Sequence, residues 1–458
     1  MVRSTQVIGL CMLLAGAPAL AAVPTLATAP KLATAPAAPT LANAKHLGVA
    51  SCSSSVCHGS VTPSKTYDVL LNEYVTWSHE DAHSKAYTVL NSPRARSMAA
   101  KLGIPNAATA KICLDCHSDN VAPERRGPKF SLSDGVGCEA CHGGAERWVV
   151  THTSRRATYR ENITQGMYPT ANLHERATLC LSCHYGTTEK FATHRLMGAG
   201  HPRLSFELDT FLAIEPAHYR VDADYERRKP AYSRTQTWAY GQLAAAYNEL
   251  QTLQGPRLDN SATFPELALF NCYACHMSSM RRYDWSHRLL TLSAEPGSVP
   301  INDGHLRMAW IISRRLDPQS APTMLKLSQS LLAAGPGGRG QIVSRSRDLA
   351  GLIGRLRDRA ADYRWTRTDQ QQLLNMLVSL GVEGEFHDYI GAEQAVMAID
   401  GLLIDLGISS EHRSRLDGLY RLVRNDEGYT PETFITALRE LQTALDRTAT
   451  WMSASGAR

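Results

Sequence analysis

The sequence predicts a mainly α-helical chain with little regular sheet, and three observations carry that expectation. Apolar residues recur at spacings of three and four in several long windows, while strand-like alternation is sparse. Five segments in which two cysteines are followed at once by a histidine are crowded into roughly 240 residues, so the interior there need not be built from side-chain layers alone. From Ile301 onward the chain has no cysteine, and helix start and stop signals come in quick succession.

Taken in order, residues 1–21 read as a signal peptide. Arg3 precedes an apolar run from Val7 to Leu20, and Ala19-Leu20-Ala21 fits the small-x-small cleavage rule, so the mature chain begins at Ala22. Cys11 lies inside the apolar run, and Leu10 stands where a lipid-anchor signal wants a small residue. Residues 22–44 are almost wholly Ala, Pro, Thr and Leu, with Leu26-Ala-Thr-Ala-Pro30 repeated as Leu32-Ala-Thr-Ala-Pro36, and read as an Ala/Pro-rich linker. The leader makes the processed protein an expected export to the periplasm, and since no later stretch reaches 18 apolar residues it is not expected to span the membrane.

Residues 45–300 hold the Cys/His motifs. Four are regular: Cys113-Leu-Asp-Cys116-His117, Cys138-Glu-Ala-Cys141-His142, Cys180-Leu-Ser-Cys183-His184 and Cys272-Tyr-Ala-Cys275-His276. The fifth, Cys52-Ser-Ser-Ser-Val-Cys57-His58, has four residues between the thiols. Cys-x-x-Cys-His is the attachment site of a c-type haem: one helical turn presents both sulfurs to the vinyl groups, and the next residue carries an imidazole under the iron. Thiol redox motifs, disulfide frameworks and zinc sites use cysteine pairs too, but none needs a histidine after every second cysteine. Of 11 cysteines, ten fall in the motifs and Cys11 in the leader. The expectation is five covalent haem c groups, held by Cys52, Cys57, Cys113, Cys116, Cys138, Cys141, Cys180, Cys183, Cys272 and Cys275, with His58, His117, His142, His184 and His276 as proximal ligands. Gly135, Gly137, Gly143 and Gly144 are read as letting the backbone approach the macrocycle.

Five proximal histidines leave five sixth positions on iron, and their occupants decide between carrier and catalyst. His152 follows His142 by ten residues, His194 follows His184 by ten and His287 follows His276 by eleven. Such a segment is long enough to cross its own haem or to reach the next one. With these, His83 and His201 are the expected distal ligands. His79, His174, His218 and His305 complete the pool, and Met197, Met277 and Met280 are competing axial candidates that would raise the potential.

Helix signals in this part are Val75 to Leu90 and Thr235 to Leu253. In residues 301–458 Leu349, Leu352, Ile353, Leu356, Ala360 and Tyr363 repeat at helical spacing, and Thr368 with Gln371 reads as a capping box. Gly407 would end a helix from Ala392 to Leu406, Pro431 begins another, and Gly335-Pro336-Gly337-Gly338 reads as a linker. The formal charge of +5 counts protein groups only. Five haems would bring ten propionates and about five ferric charges, leaving about 0, so the basicity gives no ground for a nucleic-acid partner.

Over residues 50–150 the chain resembles the multihaem cytochrome c-554 family with its c-552/4-type haem domain. The resemblance is carried by Trp77-Ser78 through Asp81-Ala-His83-Ser-Lys-Ala-Tyr87, by Cys113-Leu-Asp-Cys116-His117, and by Gly135-Val-Gly-Cys138-Glu-Ala-Cys141-His142-Gly143. It implies a multihaem cytochrome c domain, His83 as an axial ligand, and close-packed haem pairs that pass electrons. The block Ala199-Gly-His201-Pro-Arg-Leu-Ser-Phe-Glu-Leu208 is similar to that of larger multihaem cytochromes. The long first motif, the fifth haem and the helical tail depart from the family pattern. Some relatives are catalytic. The expected function is periplasmic electron transfer between redox partners through packed haems, with a membrane quinol-oxidising complex or a terminal reductase as candidate partners and no catalytic residues assigned. The alternative is an oxidoreductase acting on a small nitrogen or sulfur compound at one open haem, with Arg203 and Tyr185 as possible donors.

Overall fold

The computed structural model describes residues 43–255, 265–276 and 300–455, apart from positions 68, 155, 336–337, 425 and 427. The expected signal peptide, almost all of the 22–44 linker, Cys11, Met277, Met280 and His287 lie outside the described residues. Among the described residues every regular element is a helix, and strand-like pairing is limited to isolated bridges of His46 with Arg126 and of Phe270 with Ile301. The mainly α expectation holds.

The motif-bearing part is made of short helices with local reasons to start and stop. Pro93–Leu102 opens on Ser92, whose side chain accepts from Ala95 N, and closes at Gly103 in the left-handed region. Tyr159–Thr164 carries a capping box of Thr158 and Glu161, and Leu173–His184 is capped by Asn172. The window Val75 to Leu90 is not one helix. Glu73–Glu80 ends at Asp81, which is extended and turns its carboxylate back onto His83 N, and the chain continues as 3-10 turns at Ala82–Lys85 and Thr88–Asn91.

Buried polar ties hold the N-terminal segment. Glu139, between the thiols of the third motif, accepts from Leu47 N, Gly48 N and Ala145 N at 2.7 Å each. His46 bonds Asp119 at 2.7 Å. Two of the motif glycines also sit where the chain passes close to itself. Gly135 has φ 73°, and a Cβ there would stand 2.6 Å from His83 O, while one at Gly144 would meet Ala44 O at 2.8 Å.

The later helices are longer. Arg234–Gln254 packs on Gly338–Asp362, Gly304–Leu316 and Tyr389–Asp405, and also on Leu208–Ile214 and Leu173–His184. One core therefore runs from Leu173, Ala177 and Leu181 through Leu243 and Leu250 to Ile353, Leu377, Ile399 and Phe434. The motif-bearing and helical parts share it across the 300/301 boundary. The helix expected at 235–253 is present, Pro431–Ser455 begins at its proline, and Tyr389–Asp405 ends before Gly407 at φ 74°. The capping box lies two residues upstream of the expected one. Thr366 and Asp369 cap Arg367–Val382, because the shorter Asp side chain reaches the N-cap backbone from the third position. Gly338 opens the helix Gly338–Asp362, and positions 336–337 of the expected linker lie outside the described residues.

Candidate functional site

Each motif histidine ends a helix or turn that holds its cysteines. Lys111–His117, Cys138–His142, Leu173–His184 and Cys272–His276 all terminate on the histidine. In the longer first motif the extra residues form a turn closed by Cys57 N to Ser54 O and by His58 N to Cys52 O. The wider spacing still brings the histidine back to its first cysteine. All ten motif cysteines are free thiols, nine of them half-buried and Cys275 exposed.

Every motif histidine faces one other histidine across a nearly constant gap. Ring centroids are 6.1 Å apart for His58 and His152, 6.3 Å for His117 and His201, and 6.2 Å for His142 and His218. The distance is 6.1 Å for His184 and His83, and 6.2 Å for His276 and His194. Two imidazoles on opposite sides of one metal, each bonded at about 2 Å, place their centroids about 6 Å apart once the ring radii are added. Direct stacking would be closer, and unrelated surface histidines would not repeat one value five times. Sites 1 to 5 below are numbered by motif order.

The pairing differs from sequence order. His152 reaches back to site 1 and His194 forward to site 5, so neither stands opposite the histidine of its own preceding motif. His218, from the wider pool, stands opposite His142. The expected ligand His287 lies outside the described residues. Of the remaining pool, His79 is exposed, His174 contacts Tyr240, and His305 shares a 2.9 Å hydrogen bond with Gln242. Arg203 is occupied by Glu393 at 2.8 Å and lies over the Tyr389 ring.

Backbone and side chains orient the rings through Nδ1, leaving Nε2 as the nitrogen free for a metal. His117 Nδ1 meets Ala86 O at 2.9 Å, His201 Nδ1 meets Pro202 O at 2.7 Å and His152 Nδ1 meets Trp148 O at 3.2 Å. Two rings instead meet carboxylates: His58 meets Glu73 and His83 meets Asp81, both at 2.9 Å. Glu73 is itself fixed by Leu70 N and Leu71 N at 3.1 Å each. These carboxylate bonds raise the pKa of His58 and of His83. Burial pushes Glu73 and Asp81 up, but bonds from the rings and backbone outweigh it and hold both below the ordinary range. Burial drives His142 down to about 3, so that ring is neutral and able to ligate at any working pH. Aromatic packing steadies His184, whose ring stacks on Phe206 at 4.7 Å.

The segments quoted for the resemblance bond to one another. Trp77 Nε1 donates to Val136 O at 3.1 Å, and Val136 N donates to His83 O at 3.1 Å, so the third motif's loop sets the height of His83. Residues 51–143 match the cytochrome c554 and c-prime family. The matched segment holds three of the motifs, along with Asp81 and His83. It supports a c-type cytochrome family, and with it covalently bound haem c, an electron-transfer role and redox partners. No curated protein and no solved structure matches the chain. Among the described residues no helix is long and apolar enough to cross a membrane.

The sites are also close to one another. Cys52 neighbours Cys138, which brings sites 1 and 3 together, and Cys183 Sγ lies 4.0 Å from Asp115 O, next to Cys116, which brings sites 2 and 4 together. Cys141 lies near Cys180 and Cys183, and Asp81 near His218, which brings sites 3 and 4 together. The helix His194–Ala199, which carries the site 5 partner His194, packs on Pro93–Leu102. The sequence reading did not single out Glu73, Phe206 or the role of Asp81. Asp81 and Phe206 stood inside the quoted motif blocks, but nothing in their spacing pointed to a ring two residues or a helix away.

Proposed function

We propose that the chain is an exported, periplasmic pentahaem c-type cytochrome that relays electrons between protein partners, with all five irons ligated by two histidines. The observation that carries the reading is the fivefold repeat of a histidine pair at 6.1–6.3 Å, each containing one motif histidine. Ten free thiols in five pairs beside those rings fit the attachment of a haem at each. When bound, each haem supplies a one-electron ferric–ferrous couple.

The chain's own residues do the rest. The ten imidazoles would hold five irons, two rings to each, which would keep their surroundings nearly constant between oxidation states. The Nδ1 partners fix ring orientation. The thiol neighbours support an order of sites 1, 3, 4 and 2, with one donor or acceptor docking near either end. A membrane quinol-oxidising complex and a terminal reductase are suitable partner classes. An enzyme acting on a small nitrogen or sulfur compound would need a proximal histidine with no ligand opposite, whereas each of the five motif histidines faces a second histidine ring.

Intact mass and ligand binding test this together. The purified protein should carry five covalent haems and show only low-spin signals, and carbon monoxide should leave its reduced spectrum unchanged. A mass with four haems, or a carbon monoxide adduct on one haem in five, overturns the reading.

A further inference from the structure

Sites 1 and 4 differ from sites 2 and 3 in what holds their rings. His58 of site 1 and His83 of site 4 each point Nδ1 at a carboxylate oxygen at 2.9 Å. Both rings of site 2 point at backbone carbonyls, Ala86 O and Pro202 O. Among the described residues no carboxylate bonds the rings of His142 or His218 in site 3. A full negative charge on the far nitrogen of an axial imidazole strengthens the ring as a donor and favours the more positive, ferric iron, whereas a carbonyl dipole does so weakly. Site 1 lies beside site 3, where Gly48 N donates to Glu139 at 2.7 Å and Cys52 neighbours Cys138, and site 4 lies beside site 2, where Cys183 Sγ is 4.0 Å from Asp115 O. Each close pair therefore combines one carboxylate-backed site with one that is not.

We propose that Glu73 and Asp81 are potential-setting residues that place the haems of sites 1 and 4 below their immediate neighbours at sites 3 and 2. This rests on the histidine ligation proposed above. Within each pair an entering electron then settles on site 3 or site 2, and sites 1 and 4 fill second. The two positioning carboxylates are 8 residues apart in sequence, yet they act on haems attached more than 120 residues apart, at His58 and His184. Glu73 is on the helix Glu73–Glu80 and Asp81 is its C-cap, so one element reaches both pairs.

The test is a spectropotentiometric titration of the five-haem protein and of its Glu73→Gln and Asp81→Asn variants. Both substitutions keep an oxygen that can accept the Nδ1 hydrogen bond and remove only the charge. Each variant should raise the midpoint of one haem by at least a tenfold change in its reduction equilibrium, about 59 mV for one electron, with all irons still low-spin. The ferric resonance spectrum identifies which haem moves, since the imidazole planes are 10° apart at site 1 and 90° apart at site 4. If Asp81→Asn disturbs ligation, because Asp81 also caps His83 N, Glu73→Gln decides the matter alone. Unmoved midpoints with all irons low-spin overturn the proposal and leave the ligation reading standing. A high-spin haem in the unsubstituted protein would instead overturn the ligation reading.

Discussion

Between Glu73 and Ala199 the longest helix, Leu173–His184, has 12 residues, whereas Gly338–Asp362 and Pro431–Ser455 each run to 25. Their interiors differ in the same sense. The first part has a side-chain cluster of Leu90, Ala95, Ala99, Ala107, Ala108 and Leu114, four of them alanine. The second packs Leu, Ile, Val and Phe from successive helices into one core. A methyl group buries little surface, so the alanine cluster offers only a fraction of the hydrophobic stabilisation that long helices obtain from leucine. The lesson is that the first part is shaped to surround cofactors, with ring pairs and thiols where a conventional domain would place its large apolar residues.

That comparison breaks most directly when the haems are withheld. Produced without residues 1–21, so that the proposed export and the haem attachment that depends on it are withheld, the chain should keep the helices from Arg234–Gln254 onward and lose fixed structure over 43–160. Hydrogen exchange read by mass spectrometry checks it. Slow exchange over 93–117 in the haem-free chain would mean that the alanine cluster suffices and the comparison is wrong.

A smaller effect, confined to the second part, should follow from the buried arginine at its heart. Arg307 is fully buried and meets Asp303 at 2.7 Å, Glu385 at 3.3 Å and Asp388 at 3.4 Å. Asn271, next to Cys272, donates to Asp388 at 3.3 Å, so the network touches the fifth motif. Removing a buried cation from contact with three buried acids typically costs about 3–5 kcal/mol. Arg307→Leu should lower the unfolding free energy of this part by that amount, with a corresponding fall in its denaturant midpoint, while the signals of sites 1 to 4 are retained. Loss of those signals at the same denaturant concentration would show that the shared core makes the two parts unfold as one.

Legibility in the sequence divides along the same line. The long helices could be read because their apolar residues repeat against one another, and Gly407 and Pro431 mark true ends. The motif histidines were equally plain, since attachment chemistry fixes them to adjacent cysteines. Their partners were not, because a distal histidine is chosen by tertiary approach. His152 and His194 look as though they belong to the motif ten residues before them, yet they stand opposite His58 and His276. His218 has no spacing to advertise it. The break at Asp81 was hidden by good helical periodicity from Val75 to Leu90, which a hydrogen bond from His83 N overrides.

The smallest expected effect sharpens the comparison from the other side. Ser92 accepts from Ala95 N at 3.1 Å and caps Pro93–Leu102, the helix that supplies Ala95 and Ala99 to the small cluster. The same helix carries Arg94, whose Nε and Nη2 hold Gly200 O at 3.0 and 2.6 Å, beside His201 of site 2. Losing such a cap ordinarily costs about 1 kcal/mol. If this part is held by its haems, Ser92→Ala should loosen the first turn without weakening the whole: exchange at the Ala95 amide speeds up by about fivefold for that energy. The overall unfolding midpoint and the site 2 spectrum should stay where they were, because His117 and His201 would remain fixed to iron. A fall in the overall midpoint as large as that expected for Arg307→Leu would show that the short helices, and not the cofactors, carry the stability of the first part.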